Sequence, residues 1–123
     1  MDRQTEAPPR EDQVLAAVDT LKLLADRTRL RILWALLHGE HSVGPLAEHV
    51  GAPAAAVSQH LAKLRLARLV STRREGNRVF YGADDDHVRR LVEEALFHAD
   101  HFVQGLASHH EEQPRRAPAR RRA

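Results

Sequence analysis

The chain has 123 residues, no cysteine, nine histidines and a formal net charge of +2. This length favours one domain, and the absence of cysteine excludes disulfides, thiolate metal sites and cysteine nucleophiles. No apolar run reaches the roughly 18 residues of a membrane span, and the acidic start lacks the apolar core of a signal peptide. These features predict a cytoplasmic protein with no membrane partner.

The charge is unevenly distributed along the chain. The last ten residues carry five arginines and no acidic residue, whereas residues 1–113 carry 14 basic and 17 acidic residues. Both ends are rich in Pro, Glu, Gln and Arg and lack hydrophobic periodicity, so they bury too little to offset the entropy of ordering. We therefore expect a disordered arm over 1–10, one domain over 11–108 and a disordered Arg-rich tail over 109–123.

Helical periodicity dominates the first half of the domain. Asp26 is typical of an N-cap, Ser42 is expected to cap the next helix, and Gly51 followed by Pro53 is typical of a tight turn into a new helix. The predicted helices cover about 11–24, 26–38, 42–50 and 54–66.

The second half of the domain adds a hairpin and a long helix. Two short β-prone runs, Leu69–Arg73 and Arg78–Tyr81, flank the hairpin turn signal Gly76-Asn77. A short helix, a glycine turn, a polar-faced helix and a hairpin form a winged helix-turn-helix. The fold is thus predicted to be mainly α with a small β-hairpin. The final helix, about 84–108, carries a longer apolar stripe than this core needs, so we expect a homodimer through the terminal helices.

Basic charge is concentrated on the second helix of this motif and on the wing. Residues 58–78 contain six basic residues and one acidic residue, which is typical of phosphate contact on double-stranded operator DNA. The alternative is an ordinary solvated helix and hairpin. Mid-helix polar side chains suit base edges, and the wing arginines suit the backbone or minor groove. The predicted DNA-binding residues are Ser58, Gln59, His60, Lys63, Arg65, Arg73, Arg74 and Arg78.

Four residues of the last helix have the chemistry of metal ligands: Asp85, His87, His98 and His101. His98 and His101 share a helix face, but His87 lies eleven residues before His98, about 16 Å along a helix. Ligands of one metal each lie about 2 Å from it, so one helix cannot close the site. Two antiparallel copies, paired about a centre near Glu93, bring Asp85 and His87 of one chain beside the other two residues of its partner.

Three imidazoles and one carboxylate suit Zn(II), with Co(II) or Ni(II) as alternatives. Asp84 or Asp86 could replace Asp85 as the ligand. All three aspartates also suit a helix N-terminus without any metal, and a histidine pair three residues apart is also common on a solvated helix.

Three stretches of the chain resemble the ArsR/SmtB family of metal-sensing winged-helix repressors. They are LKLLADRTRLRILWALLHGEHSVGPLAEHVG, VSQHLAKLRLARLVSTRREGNRVFYG and DDDHVRRLVEEALFHADH. The third is similar to the subgroup whose metal site lies on the last helix. The resemblance covers about residues 14–107 and implies a homodimer that binds its operator when metal-free and releases it when metal binds, which turns on an efflux or resistance gene.

The resemblance also assigns individual roles. By position it makes Asp85, His87, His98 and His101 the four metal ligands. It also implies that His98 donates a hydrogen bond from its other ring N–H to a main-chain carbonyl, which falls at Arg68. The missing cysteines disfavour arsenic, cadmium and lead as effectors. Nickel-sensing relatives recruit further ligands from their flexible ends, and His109 and His110 could serve in this way, but the N-terminal MDRQT offers no histidine. Zinc is therefore expected first and nickel or cobalt second.

Two other functions are weighed against this one. A winged-helix regulator that does not respond to metal would use the last helix only for dimerisation. A metal-dependent hydrolase is disfavoured because the chain has no H-E-x-x-H motif and no nucleophile paired with a base. The sequence therefore predicts a regulator and not an enzyme.

Overall fold

The structure is a computed structural model that describes residues 7–111, with side chains described over 7–106. Five helices and one hairpin follow in the order α1 (Glu11–Leu24), α2 (Arg27–Leu37), α3 (Val43–Val50), α4 (Ala54–Leu66), β1 (Ser71–Glu75), β2 (Arg78–Gly82) and α5 (Asp86–Glu111). This order confirms the predicted winged helix-turn-helix architecture. Helix α5 begins at Asp86 instead of about 84 and extends beyond the expected end at 108. The rest of the expected tail and most of the expected arm lie outside the described residues.

Local chemistry explains where the helices begin and end. The Asp26 side chain accepts a hydrogen bond from the Arg29 backbone N–H at 2.9 Å, which makes it the N-cap of α2. Gly51 ends α3 in the left-handed conformation (φ 71°), which glycine adopts without a Cβ penalty. Ser42 occupies the N-cap position of α3, but its side chain makes no capping hydrogen bond.

The wing is a two-stranded antiparallel hairpin tied to the loop before α3. Its register runs from Ser71 opposite Gly82 to Glu75 opposite Arg78. Gly76 lies in the turn with a φ of 62°, as two-residue hairpin turns require. His41 and Tyr81 exchange backbone hydrogen bonds of 3.1 and 2.8 Å, so the hairpin is held from outside as well as by its own ladder.

The chain divides into two compact units, Met1–Arg89 and Arg90–Ala123. In the first unit α2, α3 and α4 pack together, and β2 contacts α2 and α3. The core is aliphatic, as the scarcity of aromatic residues predicts, and each fully buried leucine, isoleucine or valine stabilises it by about 1.5–3 kcal/mol. The largest fully buried side chains of this unit are Ile32, Leu33, Leu46, Val57, Leu61 and Leu64.

Helices α1 and α5 each keep several large apolar side chains exposed. Helix α1 buries none of its residues; on α5 the described residues beyond Val92 are all exposed. Within the described residues, no helix is long and apolar enough to cross a membrane. The exposed large apolar side chains of the two helices are Val14, Leu15, Val18 and Leu21 on α1, and Leu91, Leu96, Phe97, Phe102, Val103 and Leu106 on α5.

Candidate nucleic-acid interface and metal site

Helix α4 presents a polar outer surface because its apolar residues turn inward. Val57, Leu61 and Leu64 are fully buried, and their spacing of three and four residues fixes which face points away. Ser58, Gln59, Lys63 and Arg65 are all exposed, as the DNA-binding prediction requires. Hydroxyl and amide groups can read base edges, while lysine and arginine contact phosphates.

The outer surface of α4 also carries an apolar residue that sequence reasoning missed. Leu66 is 85% exposed, and it follows Ser58 and Ala62 at intervals of four residues, so the three share one face. That spacing from Ser58 was the available signal. Apolar side chains in the major groove contact the thymine methyl group.

His60 differs from its neighbours on α4 because it has a partner inside the protein. It is only half-buried, and its Nδ1 lies 3.2 Å from an Nη of Arg29 on α2. The guanidinium of Arg29 also donates through Nε to the Leu23 carbonyl of α1 at 2.7 Å. His60 therefore joins α4 to the corner between α1 and α2.

Arg73 of the wing is held by two carboxylates. Its Nε and Nη2 donate to Glu40 at 3.0 and 2.8 Å, and its Nη1 donates to Glu75 at 3.0 Å. The hydrogen bond from Arg73 lowers the pKa of Glu40, and the hydrogen bonds to Glu40 and then Glu75 raise the pKa of Arg73. Its guanidinium also lies 4.9 Å from the ring centre of Phe80.

The other wing arginines are placed differently. Arg74 and Arg78 are exposed, and Arg78 lies over the same Phe80 ring at 5.4 Å. Arg73 thus tethers the wing to the loop before α3, whereas Arg74 and Arg78 keep their positive charge facing solvent.

Arg68 closes α4 in an unusual backbone conformation. Its φ of 65° is the one positive value found for a non-glycine residue over the described part of the chain. The Arg68 N–H donates to the Arg65 carbonyl and the Leu69 N–H donates to the Leu64 carbonyl, both at 2.9 Å. This is the pattern of a Schellman ending, which usually places glycine at this position.

A cavity of about 450 Å³ lies in the first unit between the end of α4, the start of β1 and the segment before α5. Two arginines and two aspartates line it, together with the hydroxyl-bearing Ser71 and Thr72. Arg68, where the expected carbonyl partner of His98 lies, and Asp85, an expected metal ligand, therefore border the same space. The charged residues of the lining are Arg65, Arg68, Asp84 and Asp85.

Asp85 already has a structural task. One oxygen of its carboxylate accepts hydrogen bonds from the backbone N–H groups of His87 at 2.7 Å and Val88 at 3.2 Å. Asp85 is therefore the N-cap of α5, the alternative that sequence analysis left open. Both of these hydrogen bonds go to Oδ1, and neither goes to Oδ2.

The predicted metal ligands do not gather within one chain. Among the residues described, no three His, Cys, Asp or Glu side chains lie close enough to hold one ion. His87, His98 and His101 are all exposed, and the His101 ring packs 4.5 Å from that of Phe97. His109 and His110 belong to α5, but their side chains lie outside the described part. The four-ligand set stays a prediction that needs a second copy of the chain.

The sequence profile described as "Bacterial regulatory protein, arsR family" matches residues 26–72, from the cap of α2 to the start of the wing. The HTH-type transcriptional regulator KmtR of Mycobacterium tuberculosis is 52% identical over 103 residues, covering 84% of this chain and 79% of KmtR. The chain belongs to the arsR family of bacterial regulatory proteins. This arsR-family protein is accordingly a winged-helix transcriptional regulator and not an enzyme.

Solved structures agree with this assignment. The antimony-specific transcriptional repressor AntR is 33% identical, with a TM-score of 0.73 and coverage of 85% of this chain and 92% of AntR. The homodimeric winged helix-turn-helix DNA-binding domain Mb0332 of Mycobacterium bovis is 33% identical, with a TM-score of 0.61 and coverage of 76% and 91%. These related proteins therefore share the winged helix-turn-helix fold described above.

Proposed function

We propose that this protein is a homodimeric, metal-responsive repressor in the cytoplasm. The metal-free dimer binds operator DNA, and Zn(II) at two inter-subunit sites on α5 lowers its DNA affinity, which derepresses metal efflux or resistance genes. The observation that carries the proposal is α5, whose N-cap Asp85 and whose exposed His87, His98 and His101 accompany a row of exposed apolar side chains. A second copy of α5 would cover the exposed apolar side chains and complete the set of four ligands.

Exposed apolar surface supports the dimer. The side chains on α1 and α5 include two phenylalanines, Phe97 and Phe102, that are 60% and 62% exposed. Large apolar patches on a soluble protein mark interaction surfaces. The related domain Mb0332 is described as homodimeric, which supports a second copy of this chain as the occupant.

The exposed polar and basic side chains of α4 and the wing support DNA binding. Gln59 and Ser58 face outward at the middle of α4, and Lys63, Arg65, Arg74 and Arg78 surround them with positive charge. A dimer would present two recognition helices to successive major grooves, which lie about 34 Å apart. His60 and Arg73, by contrast, are already engaged within the chain.

The donor set fits the proposed metal. Imidazole nitrogens and a carboxylate oxygen are ordinary Zn(II) ligands, and a bound ion would supply a cross-link between the two subunits. His87, His98 and His101 are exposed, and Asp85 keeps one carboxylate oxygen outside its capping bonds. Because Asp85 and Arg68 border one cavity, a change at the ligand lies next to the junction between α4 and the wing.

Two alternatives have an observation in their favour. A Ni(II) or Co(II) effector is favoured by the continuation of α5 through His109 and His110, which adds imidazoles beyond His101. A regulator without a metal effector is favoured by the capping bonds of Asp85, because this residue stabilises the start of α5 without any bound ion.

Mixed dimers test the inter-subunit site directly. One chain carries Asp85→Ala with His87→Ala, and the other carries His98→Ala with His101→Ala. Each variant homodimer should bind no stoichiometric Zn(II), whereas the mixed dimer should regain one site because all four wild-type ligands meet once. Metal binding by either variant homodimer at the wild-type stoichiometry, measured by calorimetry, would contradict the proposed site.

A single-residue comparison separates the capping role of Asp85 from its ligand role. Asparagine caps helices about as well as aspartate but is a poor zinc ligand. Asp85→Asn should therefore keep the Tm of the wild type while weakening Zn(II) binding, and Asp85→Ala should lose both. Equal Zn(II) affinity in Asp85→Asn and the wild type would leave Asp85 as a cap alone.

A further inference from the structure

Arg29 connects three helices through a set of directed hydrogen bonds. Its backbone N–H donates to the Asp26 carboxylate at 2.9 Å, its Nε donates to the Leu23 carbonyl at 2.7 Å, and its Nη1 lies 3.2 Å from Nδ1 of His60. Leu23 lies in the last turn of α1, whose final carbonyls have no partner within the helix. The half-buried side chain of Arg29 thus joins α2 to the end of α1 and the middle of α4, and its backbone N–H binds the N-cap of α2.

The chemistry of the pair fixes which group donates. A guanidinium has donors only, so the Nδ1 atom of His60 must accept, and the ring proton resides on Nε2. The Asp26 carboxylate accepts a hydrogen bond from the Arg29 backbone N–H, and this hydrogen bond lowers the pKa of the carboxyl group. The contact is a directed hydrogen bond between side chains that lie 31 positions apart in sequence.

His60 sits beside the residues proposed to read DNA. It follows Gln59 directly on α4, yet it is half-buried and turned toward Arg29, whereas Ser58 and Gln59 are exposed. The recognition helix is therefore held on its inner side by a polar contact in addition to its buried leucines. A small rotation or tilt of α4 would move Ser58 and Gln59 relative to the bases.

We propose that Arg29 and His60 are positioning residues that fix α4 against the corner between α1 and α2. His60 then serves operator recognition through the placement of the helix and not through a base contact, which revises the role suggested by sequence alone. The exposed apolar residues of α1 are proposed to contact the second subunit. The Arg29–His60 contact therefore also connects α4 to the proposed dimer interface. The inference rests on the proposed operator binding but is independent of the metal.

The test compares specific and non-specific DNA binding by the full-length protein. The specific probe is a duplex that the wild-type protein enriches from a random-sequence library, and the non-specific probe is poly(dI-dC). His60→Leu removes the acceptor and Arg29→Lys removes the forked donor. Each should weaken binding to the enriched duplex about tenfold while poly(dI-dC) affinity changes less than about twofold, because phosphate contacts are untouched.

Two further variants make the test specific to the hydrogen bond. His60→Asn restores an acceptor near the position of Nδ1, so it should bind the enriched duplex within about threefold of the wild type. Arg31→Lys changes an exposed arginine of the same helix and should change neither affinity. In the wild-type protein, the ¹⁵N chemical shift of the His60 Nδ1 should be that of an unprotonated ring nitrogen.

The remaining outcomes contradict the inference. It is overturned if His60→Asn is as defective as His60→Leu, if Arg29→Lys binds the enriched duplex like the wild type, or if a variant loses affinity for both DNAs equally. A protonated Nδ1 in the neutral ring would also overturn it, and that measurement needs no variant. If the wild-type protein enriches no sequence at all, the proposed function fails first, so the two failures are distinguishable.

Discussion

At the scale of single residues, Arg68 adopts a left-handed backbone conformation, which usually requires glycine, at the junction between α4 and the wing. Left-handed backbone costs a non-glycine residue roughly 1–2 kcal/mol, and Arg68 adopts it with a φ of 65°. Arg68→Gly should therefore raise the free energy of unfolding by about 1 kcal/mol in urea denaturation. Arg65→Gly, one turn earlier within α4, should lower it by about 1 kcal/mol. A destabilised Arg68→Gly protein would mean that the arginine side chain outweighs the backbone cost.

The ion pair between Glu40 and Arg73 gives a prediction about pH. The pKa of Glu40 is lowered in the folded protein, so its contribution to stability is present above the unfolded pKa and is lost as the pH falls through the folded pKa. Glu40→Gln should thus lower the Tm at neutral pH, and the difference from the wild type should vanish in acid. Glu48→Gln, an exposed glutamate of α3, is the control. A Tm difference that persists unchanged in acid would contradict this account.

Residue types were predictable from the sequence, but their partners were not. The charge pattern identified Arg73 and His60 as polar residues of the DNA-binding motif. Their structural partners, Glu40 and Arg29, lie 33 and 31 positions away in sequence. Such contacts depend on how helices and hairpin pack, and periodicity carries no information about them.

At the scale of elements, substitutions in α4 and in the wing should change DNA binding in different ways. Gln59→Ala should relax discrimination at one base pair by about tenfold, because an amide reads a base edge. Arg74→Ala should weaken binding to all sequences and reduce the slope of log K against log salt by about 1, because it removes a phosphate contact. Fluorescence anisotropy with matched and mismatched duplexes at several salt concentrations distinguishes the two. A uniform loss in Gln59→Ala would exclude base readout by that residue.

Element boundaries followed from the sequence where a side chain or a glycine determines them. Asp26 caps α2 and Gly51 ends α3, as predicted. Ser42 makes no capping bond, and Pro45 at the third position of α3 has no N–H to donate to an N-cap oxygen. Helix α5 passes the expected end at about 108 and extends to Glu111, because no glycine or proline stands between Leu106 and Glu111 to stop it.

At the scale of the whole molecule, the exposed apolar residues of α1 and α5 should govern assembly. Leu21→Glu on α1 and Phe102→Glu on α5 should each raise the dimer dissociation constant at least about 100-fold, because each places a charge in an apolar interface. Leu66→Glu changes an even more exposed leucine on α4 and should leave the dimer intact. Analytical ultracentrifugation measures all three. Unchanged dimerisation in both interface variants would place the interface elsewhere.

The proposed metal site belongs to this scale because its four ligands would come from two chains. The sequence contains four candidate ligands at a spacing that requires two copies, and no three such side chains meet among the described residues of the single chain. The family assignment was predictable because the helix-turn-helix and wing are local patterns. In the proposed site, the preference for one metal would depend on distances between the two subunits, and such distances are not encoded in local sequence patterns.

In the proposed function, metal binding weakens operator binding. The decisive measurement is the affinity of the wild-type dimer for a duplex that it enriches, with and without Zn(II), Ni(II) and Co(II). A coupling free energy of about 1–3 kcal/mol predicts that Zn(II) weakens DNA binding roughly 5- to 150-fold, and that the duplex weakens Zn(II) binding by the same factor. DNA affinity that none of the three metals changes would contradict the account.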